Sequence, residues 1–202
     1  MKIAVISNEN QKRELEESLE PNNDNIYWVS SPAQISLDAE VILDLLFDEN
    51  PDHLSVLQSL PSQLIMINSV VDTLKETDSS FVRINGWNGF LEKNSIEAAG
   101  NDQNKERASQ ALAVFNKSIE WIADIPGFIS PRVISMIINE AFLALQEGVS
   151  TKNEINTAMK LGTNYPLGPF EWVEKVGGDK VKHLLNRLAS QDGKYTPAEN
   201  FQ

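Results

Sequence analysis

Residues 125–168 read IPGFISPRVISMIINEAFLALQEGVSTKNEINTAMKLGTNYPLG, and their pattern predicts the structure of the second half of the chain. Its apolar residues recur every three or four positions, the spacing that places side chains on one face of a helix. The residues that share this face are Ile134, Ile137, Ile138, Ala141, Phe142 and Leu145. Ser130 followed by Pro131 predicts the start of this helix, and Gly148 predicts its end.

Three shorter helices are predicted after this one. Thr151 and Glu154 have the spacing of a capping box, in which each side chain accepts a backbone N–H of the other residue, and Gly162 is expected to end that helix. A third helix is predicted at 170–176. Asp179 is expected to cap a fourth helix with its own apolar face. The second half of the chain is therefore predicted to be a small helical domain.

The first 124 residues alternate short apolar runs with polar segments that suit helices. The apolar runs are KIAVIS at 2–7, IYWVS at 26–30, AEVILDLLF at 39–47, QLIMINS at 63–69 and FVRINGW at 81–87. Continuous apolar runs of this length are typical of strands buried on both faces of a parallel sheet. The segments at 8–19, 51–60 and 102–117 are predicted to be crossover helices. We therefore expect a Rossmann-like, doubly wound parallel sheet at 1–124 and a helical domain at 125–202.

Composition limits the classes of partner. The chain has 202 residues, a formal net charge of −12 and no cysteine. The negative charge disfavours nucleic acid and anionic membrane surfaces, and the lack of cysteine excludes disulfides and thiolate metal sites. No segment approaches the roughly 20 apolar residues of a membrane span. We expect a soluble cytoplasmic protein that binds neither nucleic acid nor membrane.

Four motifs in the second half resemble the helical domain of the 3-hydroxyacyl-CoA dehydrogenases. They are PGFISPR at 126–132, NEA at 139–141, EGVS at 147–150 and NTAMKLGTNYPLGP at 156–169. A weaker resemblance covers DAEVILDLLFDENPDHLSVLQSL at 38–60. The resemblance implies a Rossmann-like NAD-binding domain, a role in fatty acid metabolism and a homodimer formed through the helical domain. It also implies an acyl-CoA or a related small acid as ligand.

The cofactor positions depart from the family pattern. The first strand is followed by Ser7, Asn8, Glu9, Asn10, Gln11 and Lys12, where the family has the glycine-rich loop G-x-G-x-x-G. The glycines let the pyrophosphate approach the backbone at a helix N-terminus, and side chains here would occupy that space. Ser30, Ser31 and Pro32 follow the second strand, where an acid would hold the ribose. No cofactor is therefore expected, except NAD if the family function is retained.

The catalytic positions also depart from the pattern. The segment NGWNGFLEKNSIE at 85–97 resembles the family's H-F-F-N-P motif and the Glu that orients its His. Glu97 matches that Glu, but Asn85 stands at the His position, and an amide cannot act as a general base. The family's NTSS segment corresponds to residues 68–71, so Asn68 is kept and Val70 replaces a serine.

The remaining polar candidates carry weaker signals. His53 is expected at the surface near a helix start, and His183 in the last helix is expected to have no chemical role. With two His and no Cys, a metal site is not expected. Either Trp87 is a core or interface anchor, or residues 85–89 form an adaptable loop at the carboxyl edge of the sheet, where ligands of open α/β folds bind.

Two functions remain open from the sequence. The first is a pseudoenzyme that lacks hydride transfer and acts as a binding or assembly protein, with Arg132 and Glu171 as structural residues. The second is an active oxidoreductase on a 3-hydroxyacyl-CoA or related 3-hydroxy acid, with an altered cofactor or substrate mode. Glu97, Asn68 and Asn85 would then line its cleft. An unrelated activity on the same fold is a third, unspecified alternative.

Overall fold

The computed structural model describes residues 1–17, 19, 25–60 and 63–201. The chain divides into two compact units, Met1–Phe128 and Ile129–Gln202, called here the amino-terminal unit and the helical unit. The boundary between these units lies a few residues beyond the predicted domain junction at 124.

The amino-terminal unit contains a seven-stranded sheet. The strands are β1 (Ile3–Ile6), β2 (Ile26–Val29), β3 (Val41–Asp44), β4 (Leu64–Asn68), β5 (Val82–Ile84), β6 (Ser95–Ala99) and β7 (Ser118–Trp121), in the order β2-β1-β3-β4-β5-β6-β7. The pairs among β1 to β5 are parallel, as predicted. β6 runs antiparallel to β5, and β7 runs parallel to β6, so the sheet is mixed.

β6 and β7 lie outside the predicted strands, and their composition explains this. β6 reads SIEAA and β7 reads SIEW, so each carries a glutamate and neither is a continuous apolar run. β7 is an edge strand with no fully buried residue. The residues at 114–117, predicted to continue a helix, instead form the turn that leads into β7.

Helices cover both faces of the sheet, as a doubly wound fold requires. They are α1 (Glu9–Glu16), α2 (His53–Gln58) and α3 (Asp102–Ala113). Leu15 of α1 and Leu112 of α3 pack in one apolar cluster with Val5, whereas Leu57 of α2 packs in a second cluster with Ile6. Val5 and Ile6 are neighbours in β1 and point to opposite faces, so the sheet separates two cores.

The helical unit contains α4 (Ser130–Gln146), α5 (Lys152–Thr163), α6 (Pro169–Val176) and α7 (Gly178–Ala189). The capping box predicted from Thr151 and Glu154 is present at the start of α5. Three predicted helix ends are wrong by one or two residues. Ile129 precedes α4 in place of Ser130, Asn164 ends α5 in place of Gly162, and Gly177 precedes α7 in place of Asp179.

Asn164 can end α5 because it adopts the left-handed backbone conformation, with φ of 56°. Asparagine tolerates this conformation better than most residues, whereas Gly162 remains inside the helix. The end of α5 is therefore fixed by an asparagine where glycine is the commoner signal.

Candidate functional site

The carboxyl ends of the parallel strands meet at one edge of the sheet, called here the carboxyl edge. Ile6 of β1 pairs with Asp44 of β3, Asp44 pairs with Ile67, and Asn68 of β4 pairs with Ile84 of β5. Ligands of open α/β sheets bind outside this edge, so the residues that follow these strands form the candidate site.

Asn68, Asn85 and Glu97 lie on neighbouring strands near this edge. Asn68 is the last residue of β4, and its Oδ1 accepts the N–H of Gly86 at 2.9 Å. Asn85 directly follows β5 and donates its backbone N–H to the carbonyl of Glu97 in β6 at 2.9 Å. The structure therefore brings the three predicted residues together, although only Glu97 is partly exposed to solvent.

The two asparagines serve the local backbone. Asn68 Nδ2 donates to the carbonyl of Leu45 at 3.1 Å, and Asn85 Oδ1 accepts the N–H of Trp87 at 3.4 Å. Both side chains are buried. A side-chain amide does not take up a proton near neutral pH, so these positions supply hydrogen bonds and no general base.

The start of α1 occupies the place of the family's glycine-rich loop. The side chain of Asn8 accepts the N–H of Gln11 at 2.9 Å, and the side chain of Gln11 accepts the N–H of Asn8 at 3.2 Å. This is a complete capping box. In a dinucleotide site, N–H groups at this helix end would face a pyrophosphate. Here side chains of the protein take two of those donors.

The amide of Gln11 also spans the carboxyl edge. Its Nε2 donates to the carbonyl of Leu45 after β3 at 2.8 Å and to the carbonyl of Gly86 after β5 at 3.2 Å. Asn68 contacts the same two residues, so Gln11 and Asn68 together tie the ends of β3 and β5 to each other. We call this set of four residues the edge clasp.

A second residue of α1 also holds the loop after β5. Both carboxylate oxygens of Glu14, which is 3 % exposed, accept the N–H of Gly89 at 2.8 Å. Lys117 is buried as well, and burial lowers the pKa of its ammonium while the charges of Glu14, Glu17 and Glu92 oppose that change. α1 is therefore joined to the carboxyl edge by two buried polar side chains, those of Gln11 and Glu14.

These residues do not fit the NAD of the family. The helix N-terminus is capped from within, the Gln11 side chain bonds the carbonyls of Leu45 and Gly86 across the carboxyl edge, and Glu9 adds a negative charge in the first turn. No acidic side chain follows β2 in the described residues, where Ser30 and Ser31 stand. The site thus lacks both the phosphate and the ribose contacts of a dinucleotide fold.

A buried arginine holds the segment that follows β4. Arg83 Nε donates to the carbonyl of Ser69 at 2.9 Å, and Nη2 donates to the carbonyl of Val70 at 3.2 Å. Its Nη1 pairs with Asp124, and its guanidinium lies 4.5 Å from the ring centroid of Phe128. Burial lowers the pKa of Arg83, and the neighbouring carboxylates oppose that change. Arg83 therefore holds the segment after β4 through the backbone carbonyls of Ser69 and Val70.

His53 occupies a different place from the one predicted. Its Nδ1 lies 2.7 Å from Oδ2 of Asp44, and its side chain is only 13 % exposed. The prediction of a surface histidine is wrong because Asp44, the last residue of β3, reaches the first residue of α2. Burial raises the pKa of Asp44, and the charge of His53 opposes the rise. His183, by contrast, is exposed on α7.

Two cavities lie away from the carboxyl edge. One of about 390 Å³ in the amino-terminal unit is lined by Leu64, the first residue of β4, and by Phe81 and Arg107, so it opens at the opposite edge. The other, of about 330 Å³, lies in the helical unit between α4, α5 and α6. Its apolar wall includes Phe142 and Phe170, and Lys152 Nζ lies 5.4 Å from the Phe170 ring centroid.

Residues 127–202 match the family model described as the 3-hydroxyacyl-CoA dehydrogenase C-terminal domain. The chain is 40 % identical over 102 residues to 3-hydroxyadipyl-CoA dehydrogenase of Escherichia coli, covering 50 % of this chain and 22 % of that protein. The second half of the chain is therefore similar to the C-terminal domain of the 3-hydroxyacyl-CoA dehydrogenases. The chain is also 28 % identical over 132 residues to the human mitochondrial hydroxyacyl-coenzyme A dehydrogenase, covering 63 % of this chain and 42 % of that protein.

Solved structures of the family share the fold of this chain. The (S)-3-hydroxybutyryl-CoA dehydrogenase from Ralstonia eutropha superposes with a TM-score of 0.75 at 16 % identity, covering 98 % of this chain and 90 % of that chain. The 3-hydroxybutyryl-CoA dehydrogenase from Escherichia coli gives 0.70 at 15 % identity, covering 98 % and 55 %. The chain spans less than half the length of the curated relatives that it matches.

In the described part of the chain, no group of three or more His, Asp or Glu side chains could hold a metal ion. No helix there is both long enough and apolar enough to cross a membrane.

Proposed function

We propose that this 3-hydroxyacyl-CoA dehydrogenase relative lacks the family's NAD-dependent hydride transfer and acts as a binding or assembly protein. The proposal rests on Gln11, which stands in the segment that matches the family's glycine loop and donates its side-chain amide to the carbonyls of Leu45 and Gly86. The absence of a base at Asn85 is an independent reason, because loss of either the cofactor or the base stops the reaction.

Opening the edge clasp for a dinucleotide would have a cost. Gln11 is fully buried, and withdrawing its amide removes donors from the carbonyls of Leu45 and Gly86. A buried polar group that loses its partner costs roughly 1–3 kcal/mol. The incoming pyrophosphate offers acceptors only and cannot replace the lost N–H donors. Repulsion from Glu9 would add to this cost, so we infer that NADH does not bind in the family mode.

The helical unit offers the features that a binding protein needs. The cavity beside Phe142 and Phe170 has an aromatic wall and is also lined by Lys152 and Glu174. The Lys152 ammonium suits the carboxylate of a small acid whose apolar chain packs on the aromatic wall. An acyl-CoA would present the same apolar acyl chain, attached to the larger CoA group. We propose this cavity as the place for such a ligand.

The surface of α5 supports assembly. No residue of this helix is fully buried although its sequence is amphipathic, and Leu161 is 83 % exposed. An exposed apolar face is typical of a protein interface. We propose a homodimer formed through the helical unit, with the protein located in the cytoplasm. A single molar mass equal to one chain by size-exclusion chromatography with light scattering, at high micromolar concentration, would contradict the dimer.

The catalytic part of the proposal is tested by assaying NADH oxidation with acetoacetyl-CoA at high enzyme concentration. We expect no turnover above the rate without protein. A rate that saturates with substrate and is abolished by Asn85→Ala would contradict the proposal, because that position would then belong to a working site. Lys75→Ala, at an exposed position, is the matched control.

Ligand binding by the helical unit is tested with hexanoate as the probe. We expect hexanoate to raise the thermal unfolding midpoint, since a ligand of the native state stabilises it by mass action. Lys152→Gln should remove the shift, and Lys75→Gln should keep it. An equal shift in both variants, or none in the unmodified protein, would contradict the assignment.

One observation favours the active oxidoreductase as a second candidate. Asp44 holds a ring nitrogen of His53 near the carboxyl edge, and a carboxylate that orients an imidazole is the usual arrangement of a general base. If this candidate is right, His53→Asn abolishes a measurable oxidoreductase rate, whereas His183→Asn leaves it unchanged.

A further inference from the structure

The loop after β5 contains two Asn-Gly pairs, Asn85-Gly86 and Asn88-Gly89. In such a pair the glycine nitrogen can attack the side-chain amide carbon of the asparagine. The new N–C bond closes a five-membered succinimide, and the amide nitrogen leaves as ammonia with the proton of the glycine N–H. Water then opens the ring to aspartate or isoaspartate. The two pairs have the same local chemistry, so differences between them come from the fold.

In the second pair, Asn88-Gly89, a carboxylate accepts the N–H of the glycine nitrogen that attacks. Both oxygens of Glu14 accept the Gly89 N–H at 2.8 Å, and Glu14 is almost fully buried. A charge-assisted hydrogen bond of this kind is strong in a low-dielectric site. It raises the electron density on the Gly89 nitrogen and provides an acceptor for the proton that must leave as the ring closes.

The side-chain amide of Asn88, which is the group attacked in the second pair, has few contacts that fix it. Asn88 Oδ1 is buried without a hydrogen-bond partner, and the side chain has no hydrogen bond to the residues that the structure describes. No protein hydrogen bond of this side chain therefore has to break for the ring to close. Asn88 is partly exposed, so water can reach the imide.

The first pair lacks these features. The Gly86 N–H donates to the neutral Oδ1 of Asn68 at 2.9 Å, so no carboxylate is in place to accept its proton. The side chain of Asn85 is 2 % exposed, and its Oδ1 accepts the N–H of Trp87. The first pair therefore provides an internal control within the same loop.

We propose that Asn88 is a self-modification site, at which the chain converts its own asparagine to aspartate and isoaspartate with Glu14 as the proton acceptor, while Asn85 is spared. The product places a second carboxylate beside buried Glu14. Two neighbouring carboxylates repel each other, and isoaspartate also lengthens the backbone by one methylene. Modification therefore loosens the contact between α1 and the loop after β5.

The test is peptide mass spectrometry of the full chain incubated for days at 37 °C in mildly alkaline buffer. Native protein should modify Asn88 several-fold faster than Asn85. In concentrated urea the two rates should become similar, because both pairs are then plain Asn-Gly sequences. Equal rates in the native protein, or faster reaction at Asn85, would overturn the proposal.

A variant tests the role assigned to Glu14. Glu14→Gln should slow modification of Asn88 several-fold, whereas Glu16→Gln, a change at an exposed position on the same helix, should leave it unchanged. An unaltered or faster rate in a Glu14→Gln protein with native circular dichroism would overturn the role of the carboxylate. If Glu14→Gln does not fold, the comparison of native protein with urea still decides whether Asn88 is selected.

Discussion

The carboxylate of Asp44 and Nδ1 of His53 lie 2.7 Å apart, and this contact joins the end of β3 to the start of α2. Removing one partner from a buried pair leaves an uncompensated charge. We expect His53→Ala to lower the free energy of unfolding by roughly 3 kcal/mol near pH 7, measured by urea denaturation. The double variant with Asp44→Asn should recover part of this loss, and equal losses in the two variants would contradict the pairing.

The same contact predicts a dependence on pH. Burial raises the pKa of Asp44 above its unfolded value, so the native state binds this proton more tightly. Such a carboxyl contributes stability at low pH that is lost as pH rises through its folded-state pKa. His53→Ala removes the charge that opposes the raised pKa. The destabilisation by His53→Ala should therefore be larger near pH 7 than near pH 4. The measurement is the free energy of unfolding of both proteins at these two pH values.

Arg83 is expected to be among the most sensitive positions of the amino-terminal unit. Arg83→Met removes the pair with Asp124 and the donors to the carbonyls of Ser69 and Val70. We expect a loss of about 3 kcal/mol in the free energy of unfolding. Arg107→Met is the control, because this exposed arginine donates to a single carbonyl. A loss below that of the control would contradict the role of Arg83.

The capping box of α5 makes a separate prediction for the helical unit. The Thr151 side chain accepts the N–H of Glu154, so Thr151→Ala should cost about 1 kcal/mol by chemical denaturation. Thr157→Ala makes the same change inside the helix, where alanine is the better helix former, and should be neutral or slightly stabilising. If Thr157→Ala were the less stable of the two variants, the capping box would contribute nothing to stability.

Gln11 is expected to contribute to stability. Gln11→Ala removes its bonds to Leu45 and Gly86 and should lower the free energy of unfolding by roughly 2 kcal/mol. Gln110→Ala, an exposed change on α3, is the control and should stay within about 0.5 kcal/mol of the unmodified protein. A stable Gln11→Ala variant would mean that the edge clasp does not hold the carboxyl edge together.

Much of the fold could be predicted from sequence because the apolar runs of β1, β3, β4 and β5 are continuous and buried. β6 and β7 could not be predicted from the same signal, since glutamates interrupt them. The helical unit follows from its 3.6-residue period and from the match of residues 127–202 to the family. Helix ends are harder to place from sequence because glycine, asparagine and serine compete as caps.

The site was harder to predict because its contacts join distant segments. The sequence indicates that side chains replace glycines at 7–12, but it does not show that Gln11 reaches the carbonyl of Gly86, 75 residues away. His53 was missed for a similar reason. An Asp at the end of a buried strand and a His at the next helix start are the signal that would have found this pair.

The capped, glycine-free start of α1 is expected not to bind a nicotinamide dinucleotide. The most direct measurement is isothermal titration calorimetry of the purified protein with NADH, with thermal unfolding at millimolar NADH as the second readout. We predict no binding heat and no change in the unfolding midpoint. Saturable binding with a stoichiometry of about one per chain, and a midpoint raised by several degrees, would contradict the claim.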